Sequence, residues 1–143
     1  MEIERLKRYT DKFKLIEKRM GEFEEWKDDF LDDEKSRLAC YMAFEQIIEF
    51  SMDLTAMICK DTSSLPKDNF SNIECILEKK IISDTISKSL KVASGLRNRI
   101  VQNYEGLDSE LAYESMVELL PDLEDFLEMV DQWLKIQPQD SKN

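Results

Sequence analysis

Residues that end helices and strands are scarce in this chain, which restricts it to a few long elements of secondary structure. Its 143 residues include three glycines and three prolines, the two residue types that most often mark turns. Between them, apolar side chains recur at steps of three and four, which is the period of one face of an α-helix. The sequence therefore predicts an all-α fold, an antiparallel up-and-down bundle of about five helices.

The predicted helices follow these apolar stripes. To within a few residues, they cover 3–30, 34–59, 69–78, 83–104 and 109–136. Asp32 or Asp33 is expected to cap the second helix, Ser83 the fourth, and Asp108 or Ser109 the fifth. Short polar side chains at these positions accept hydrogen bonds from the free amides of a first helical turn.

A chain of this length fits one domain with its own core. We therefore assign residues 1–136 to a single helical domain and the polar residues 137–143 to a disordered C-terminal tail. Gly21 is expected to bend the first helix, and Gly106 to end the fourth. Pro121 is expected to kink the fifth helix or divide it, because proline has no amide hydrogen to donate.

The composition indicates a cytoplasmic protein without a metal or another cofactor. The first residues are charged and lack the apolar core of a secretory signal, and no run of about 18 apolar residues could span a membrane. Cys40, Cys59 and Cys75 are far apart in sequence, so we expect reduced thiols in the core. The chain contains no histidine and no pair of cysteines at the spacing of zinc ligands.

Charge is distributed unevenly along the chain. The net charge is −11, which argues against a general coat for nucleic acid, because phosphate contacts need lysine and arginine. Residues 79–99 nevertheless carry six bases and one acid, a net of +5, which leaves −16 for the rest. This basic segment either binds an anionic ligand or pairs with acids of the second helix, where Glu45, Glu49 and Asp53 recur at steps of four. Charge alone favours the pairing.

The most informative segment is residues 95–104, which read GLRNRIVQNY. It inserts two arginines and an asparagine into an otherwise apolar helical stripe. Arg97 and Tyr104 are seven residues apart and share a helix face, while Asn98 and Gln102 are four apart and are direct neighbours. Arg97 and Gln102 are five apart and diverge by more than a quarter turn. A site that used both would need a bend in the helix or a second subunit.

This segment resembles the signature of HepT-like proteins of the HEPN superfamily, in which an arginine is followed by four residues, a histidine, one residue and a tyrosine. Arg97 and Tyr104 match the arginine and the tyrosine, whereas Gln102 occupies the histidine position. Glu49 and Asp53 match an acidic pair that HepT-like proteins carry on the second helix. The resemblance extends over nearly the whole chain, from about residue 3 to residue 134, and includes the helix order.

The resemblance implies a helical homodimer that cleaves RNA, such as tRNA or mRNA, as a metal-independent endoribonuclease. It also implies a toxin whose antitoxin is a small nucleotidyltransferase of the MNT type, which inactivates the toxin by transferring AMP to the tyrosine, here Tyr104. The two motif helices of such a dimer meet, so that each site draws on both chains. Arg97 and Gln102 are then the catalytic candidates, and Asn98, Glu49 and Asp53 are supporting residues.

The glutamine at position 102 weakens the catalytic interpretation. Histidine exchanges a proton near neutral pH, whereas glutamine can only orient groups by hydrogen bonding, and general acid–base help contributes roughly 10²–10⁴ in rate. We therefore expect an attenuated ribonuclease. The alternative is a catalytically inactive HEPN module that binds nucleotide, RNA or the nucleotidyltransferase. An unrelated helical interaction protein is a third possibility, in which Arg97 only neutralises Glu49 or Asp53 and Tyr104 is a core aromatic.

Overall fold

The computed structural model describes residues 1–138, and five α-helices account for most of them. They are α1 (Ile3–Trp26), α2 (Glu34–Asp61), α3 (Asn69–Glu78), α4 (Asp84–Asn103) and α5 (Ser109–Lys135), with 3₁₀ turns at Lys27–Asp29 and Tyr104–Gly106. No strand occurs within residues 1–138. The all-α prediction is confirmed, as are the number and order of the helices.

Polar side chains cap three of the helices where the sequence predicts caps. Asp33 accepts a hydrogen bond from the amide of Ser36 at the start of α2, and Ser83 accepts one from the amide of Ile86 at the start of α4. Asp108 accepts from the first amides of α5. Each cap pairs an amide that has no partner inside its helix, which explains why these boundaries could be read from the sequence.

The end of α4 differs slightly from the prediction. The helix stops at Asn103, whose side-chain oxygen accepts the amide of Gly106 at 3.2 Å, and this local bond competes with the next helical one. A Cβ atom at position 106 would lie 2.4 Å from the Asn103 side-chain nitrogen, so a larger residue there would have to displace the Asn103 side chain from this bond. Tyr104 therefore lies just beyond the helix, at the start of a 3₁₀ turn.

Pro121 does not divide α5, which runs without interruption from Ser109 to Lys135. Of the two outcomes predicted for Pro121, the division of the helix is wrong, and a kink stays a prediction. A proline removes only one helical hydrogen bond, and the leucines around it (Leu119, Leu120 and Leu123) stay buried against the rest of the bundle. Their burial outweighs the cost of the missing bond. Helix α1 likewise continues through Gly21.

Contacts between side chains define an antiparallel bundle. The contacts between α1 and α2 are Arg5 with Asp61, Lys12 with Asp53 and Arg19 with Gln46. The numbers rise along α1 while they fall along α2, so the two helices run in opposite directions. Along α1 and α5, the ring of Tyr9 meets Trp133, whereas Phe30, just beyond α1, meets Tyr113 near the start of α5. The predicted up-and-down arrangement is confirmed.

The C-terminal boundary of the domain is only partly visible. The amide of Gln137 donates to the carbonyl of Leu134, and its side chain donates to the carbonyl of Trp133, so this residue lies beyond α5 but is bonded to its last turn. Most of the predicted disordered tail, residues 139–143, lies outside the described residues. Among the described helices, none combines the length and the apolar character that crossing a membrane requires.

Helix α1 is anchored to the C-terminal end of α2 by a single carboxylate. Asp61 accepts hydrogen bonds from Arg5 at 2.6 Å and from the hydroxyl of the fully buried Tyr9 at 2.7 Å. Burial, together with the Asp61 carboxylate, raises the pKa of the Tyr9 hydroxyl far above its ordinary value. Tyr9 therefore remains a hydrogen-bond donor under all ordinary conditions.

We expect Asp61→Ala to lower the free energy of unfolding by about 2–4 kcal/mol, because it leaves a buried hydroxyl and a partly buried guanidinium without their acceptor. Urea denaturation measures the loss. Asp53→Ala is the control, since Asp53 pairs with Lys12 in a contact where its side chain is 46% exposed. That change should cost less than about 1 kcal/mol. Equal losses for the two variants would contradict a special role for Asp61.

Candidate functional site

Arg97 lies near the C-terminal end of α4 and is held by α2. Its Nη2 atom donates to Oε1 of Glu45 at 3.2 Å, and its Nη1 atom approaches Oδ1 of Asn98 at 3.4 Å. Within residues 1–138, the buried Nε atom has no hydrogen-bond partner. The Arg97 side chain is 25% exposed. Glu45 and Asn98 thus engage two of the five N–H groups, the Nε–H is buried, and the two remaining Nη hydrogens are available to an incoming anion.

The two acids predicted to support the site do not contact Arg97. Asp53 binds Lys12 of α1 at 2.8 Å, and Glu49 is exposed, with no ion pair in the described part of the chain. Arg97 pairs with Glu45 instead of Glu49 or Asp53. Asp53 lies eight residues farther along α2, or roughly 12 Å at 1.5 Å per residue. That either of these two acids serves the site stays a prediction.

Sequence reasoning gave Glu45 no role of its own in the site, although it is the first of the three acids spaced by four along α2. The spacing indicates that the acids share a helix face, but all three satisfy it equally. Choosing among them requires the register between α2 and α4, which packing decides and local sequence does not encode. No signal in the sequence singles out Glu45, since its place one helical turn from Tyr41 has meaning only once Tyr41 is seen to contact Tyr104.

Tyr104 rests on the core through its ring. Its ring centroid lies 6.2 Å from that of Tyr41, which in turn packs edge-on against the fully buried Phe30 at 5.1 Å. Tyr104 is nevertheless 40% exposed, so it is a core-anchored aromatic with an accessible surface. The packing of the ring fits the interpretation as a core aromatic, and the exposed part of the side chain leaves it accessible, as a role as AMP acceptor requires.

Asn98 and Gln102 are exposed neighbours on α4. At 100° per residue, Gln102 is about 140° around the helix from Arg97, which agrees with the divergence expected from the sequence. The straight helix does not bring the two side chains together within one chain. Asn98 lies between them and is the only one of these polar residues that approaches the guanidinium within the described structure.

Four exposed apolar side chains accompany the Arg97–Glu45 pair. Leu38 and Met42 lie on the same face of α2 as Glu45, and Val101 lies one turn beyond Arg97 on α4. Together with Tyr104 they form a surface that we call the motif patch. Exposed apolar groups gathered around a charged site are typical of protein interfaces.

The basic segment is divided between paired and free side chains. Arg97 pairs with Glu45 of the second helix, as the charge-pairing interpretation expects, whereas Lys91 pairs with Glu74 of α3. Lys80, Lys88 and Arg99 are exposed, and no ion pair involves them in residues 1–138. In the same part of the chain, no three cysteine or carboxylate side chains are grouped closely enough to hold a metal ion.

Comparison with known proteins identifies the family. A sequence profile described as "Ribonuclease HepT-like" matches residues 2–130. The chain belongs to the HepT-like ribonuclease family. An Archaeoglobus fulgidus protein described as a candidate RNase is 38% identical over 92 residues, which cover 64% of this chain and 70% of the relative. A second candidate RNase of that organism is 28% identical over 115 residues, 80% of this chain and 85% of the relative.

Solved structures with the HepT-like fold superpose well on this chain. A tri-AMPylated HEPN toxin of Shewanella oneidensis, in complex with an MNT antitoxin, matches with a TM-score of 0.80 at 18% identity, covering 87% of this chain and 96% of that one. The cytosolic protein YutE of Bacillus subtilis, whose function is unknown, matches with a TM-score of 0.69 at 22% identity, covering 86% and 92%. The predicted HEPN-like bundle is confirmed.

In this HepT-like chain, the Arg97–Glu45 pair should stabilise the contact between α2 and α4. The two side chains are 25% and 16% exposed, so we expect a coupling of about 1 kcal/mol in a double-mutant cycle of Arg97→Ala and Glu45→Ala. Urea denaturation of the four proteins measures it. The exposed Lys135–Asp131 pair is the control, and we expect no measurable coupling there. Unfolding of Arg97→Ala at low urea would mean that this arginine chiefly holds the fold together.

Proposed function

We propose that this chain is the toxin of a HEPN/MNT toxin–antitoxin pair and cleaves RNA at a site centred on Arg97. The observation that carries the proposal is how the side chain of Arg97 is held and which of its N–H groups remain free. Arg97 is anchored by one carboxylate, keeps free N–H groups beside the exposed Asn98, and belongs to the family motif. An anchored guanidinium with spare donors suits the phosphate of a nucleic-acid backbone.

The proposed reaction needs no metal. The 2′-hydroxyl of a ribose attacks the neighbouring phosphorus, the bond to the 5′-oxygen of the next nucleotide breaks, and a cyclic phosphate and a 5′-hydroxyl are formed. The guanidinium of Arg97 stabilises the charge that develops on the phosphate oxygens. A second group must accept the 2′-hydroxyl proton, and a proton must be delivered to the departing 5′-oxygen. Gln102 can orient the hydroxyl or a water molecule but cannot take the 2′-hydroxyl proton, so we expect slow cleavage.

The motif patch suggests how a complete site could form. A two-fold dimer that buries Leu38, Met42 and Val101 and leaves Tyr104 at its rim would be self-complementary, as such interfaces are. It would also bring Gln102 of the second chain toward Arg97 of the first. Within a single chain the two side chains cannot meet, because they point about 140° apart around the axis of α4. We therefore propose a homodimer with composite sites.

The proposed partner is an MNT-type nucleotidyltransferase antitoxin. The support is the fold shared with the Shewanella oneidensis toxin, which is AMPylated and bound to such an antitoxin. Tyr104 is the proposed acceptor, because it lies beyond the last turn of α4 and is 40% exposed. In that transfer the tyrosine oxygen would attack the α-phosphorus of ATP and release pyrophosphate. Covalent AMP next to Arg97 would then block access of RNA.

The second candidate function is binding without cleavage. Gln102 favours it, because this exposed amide replaces the group on which proton transfer depends. An inactive HEPN module would retain the Arg97 surface and bind RNA, a nucleotide or the antitoxin. The two functions differ in one measurable property, which is whether restoring the histidine restores cleavage.

We expect Gln102→His to accelerate cleavage of a labelled RNA mixture that includes tRNA by roughly 10²–10⁴-fold, with a chelator present throughout. The double variant Arg97→Ala/Gln102→His is the matched control and should lose the gain, because the histidine alone cannot stabilise the phosphate charge. If neither the wild-type chain nor the histidine variant cuts RNA, the nuclease proposal fails, and binding of RNA by the wild-type chain would then support the inactive module.

A negative charge placed among the apolar side chains of the motif patch should make the proposed dimer dissociate. We expect Met42→Glu to raise the dimer dissociation constant by roughly a hundredfold or more, because a carboxylate is costly to bury without a partner. Analytical ultracentrifugation measures the change. Phe70→Glu, at an exposed apolar position on α3, is the control and should leave the dimer intact. A wild-type chain that sediments as a monomer would rule out the composite site.

A further inference from the structure

Two thiols meet where the end of α2 packs against α3. Cys59 is fully buried near the C-terminus of α2, and Cys75 is partly buried in the last turn of α3. The Cys59 thiol donates to the carbonyl of Asn72 on α3 at 3.5 Å, and Cys75 lies three residues beyond Asn72 on the same helix. The two thiols are close enough for each to shift the pKa of the other. None of the proposed RNA chemistry uses this pair, which lies 14 residues along α2 from Glu45, or roughly 21 Å.

A lysine and a serine surround the more accessible of the two sulfurs. The ammonium of Lys79 donates to the hydroxyl of Ser64 at 2.6 Å and to the carbonyl of Thr62 at 2.9 Å. Both Lys79 and Ser64 lie close enough to the Cys75 thiol to lower its pKa, and the amide of Lys79 donates to the carbonyl of Cys75 at 3.2 Å. A fixed cation and a hydroxyl beside a thiol are the features that stabilise a thiolate and make a cysteine reactive.

Two unusual backbone turns put these groups in position. Ser63 and Lys80 have φ values of 67° and 62°, in the left-handed region that residues other than glycine seldom occupy. The first turn brings the amide of Ser64 to the carbonyl of Cys59 at 2.8 Å, and the second follows Lys79, the residue that caps the end of α3. Left-handed residues of this kind recur at functional sites, where the surrounding structure holds them.

The three cysteines differ in acidity. Burial acts to raise the pKa of the Cys75 thiol, but hydrogen bonds from Cys59 and Ser64 and the charge of Lys79 outweigh it and hold that pKa below its ordinary value. Burial and the bond to Cys75 raise the pKa of Cys59 to about 12. Burial alone raises the pKa of Cys40 to about 11. Cys75 is therefore suited to attack an electrophile, while Cys59 stays protonated beside it.

We propose that Cys75 and Cys59 form a peroxide-reactive pair that closes reversibly into a disulfide between α3 and α2. The Cys75 thiolate attacks one oxygen of hydrogen peroxide, the O–O bond breaks, and hydroxide leaves, which produces a sulfenic acid. The Cys59 sulfur then attacks the Cys75 sulfur. The Cys59 proton departs with the sulfenic hydroxyl as water, and the S–S bond forms. The two sulfurs are oxidised by two electrons and the peroxide is reduced to water.

The test treats the reduced full-length chain with hydrogen peroxide, blocks the remaining thiols, and measures the intact mass and the unreduced peptide map. We expect a loss of two hydrogen atoms and a cross-linked peptide that joins Cys59 to Cys75, while Cys40 remains a thiol. A reducing agent should restore the original mass. Cys40 is a control within the same molecule, because it is buried without a thiol or a lysine beside it in the described structure.

Variants separate the roles of the two sulfurs. Cys59→Ser should accumulate a sulfenic acid at Cys75 that dimedone captures, whereas Cys75→Ser should give neither the disulfide nor a captured Cys59. Lys79→Gln should slow oxidation by roughly two- to tenfold, because it removes the charge that favours the thiolate. The proposal is overturned if the folded wild-type chain forms no disulfide, or if Cys40 is oxidised as fast as Cys75.

Discussion

The burial of α2 is the constraint on which the rest of the structure depends. Twelve of its 28 residues are buried. Helices α1, α3 and α4 all pack against it, so each of them is oriented by its contact with this one helix. A helix enclosed in this way can carry polar groups only where they have partners. Ser51 and Thr55 satisfy this requirement by donating to carbonyls of their own helix.

Three acids of α2 meet the requirement by binding neighbouring helices. Asp61 and Asp53 bind α1, and Glu45 binds α4. These acids therefore connect α2 to α1 and to α4 through ion pairs. This arrangement means that the guanidinium of Arg97 is positioned by the core helix, and the precision of the proposed site derives from the packing of the whole bundle.

The two ends of α2 carry different groups, with the residues beside the family motif in its first half and a buried cysteine in its last turn. Its first half presents Leu38, Met42 and Glu45 beside the family motif, where RNA, a second copy and the antitoxin are proposed to bind. Its last turn carries Cys59, enclosed by the turn at Ser63. The separation of roughly 21 Å along the helix means that a disulfide there would act on the α2–α3 contact and leave the groups around Arg97 in place.

The sequence by itself determined the local features of this protein. Apolar periodicity predicted five helices, and cap residues such as Asp33, Ser83 and Asp108 predicted where three of them begin, because caps and helical faces depend on residues only a few positions apart. The motif from Arg97 to Tyr104 identified the family for the same reason.

Only the tertiary structure decided which distant residues meet. It paired Arg97 with Glu45 in preference to Glu49 or Asp53, carried α5 through Pro121, and brought Cys59 against Cys75. Each of these outcomes depends on the register and rotation of one helix against another. Those quantities are set by the packing of many side chains at once, and no local pattern in the sequence encodes them.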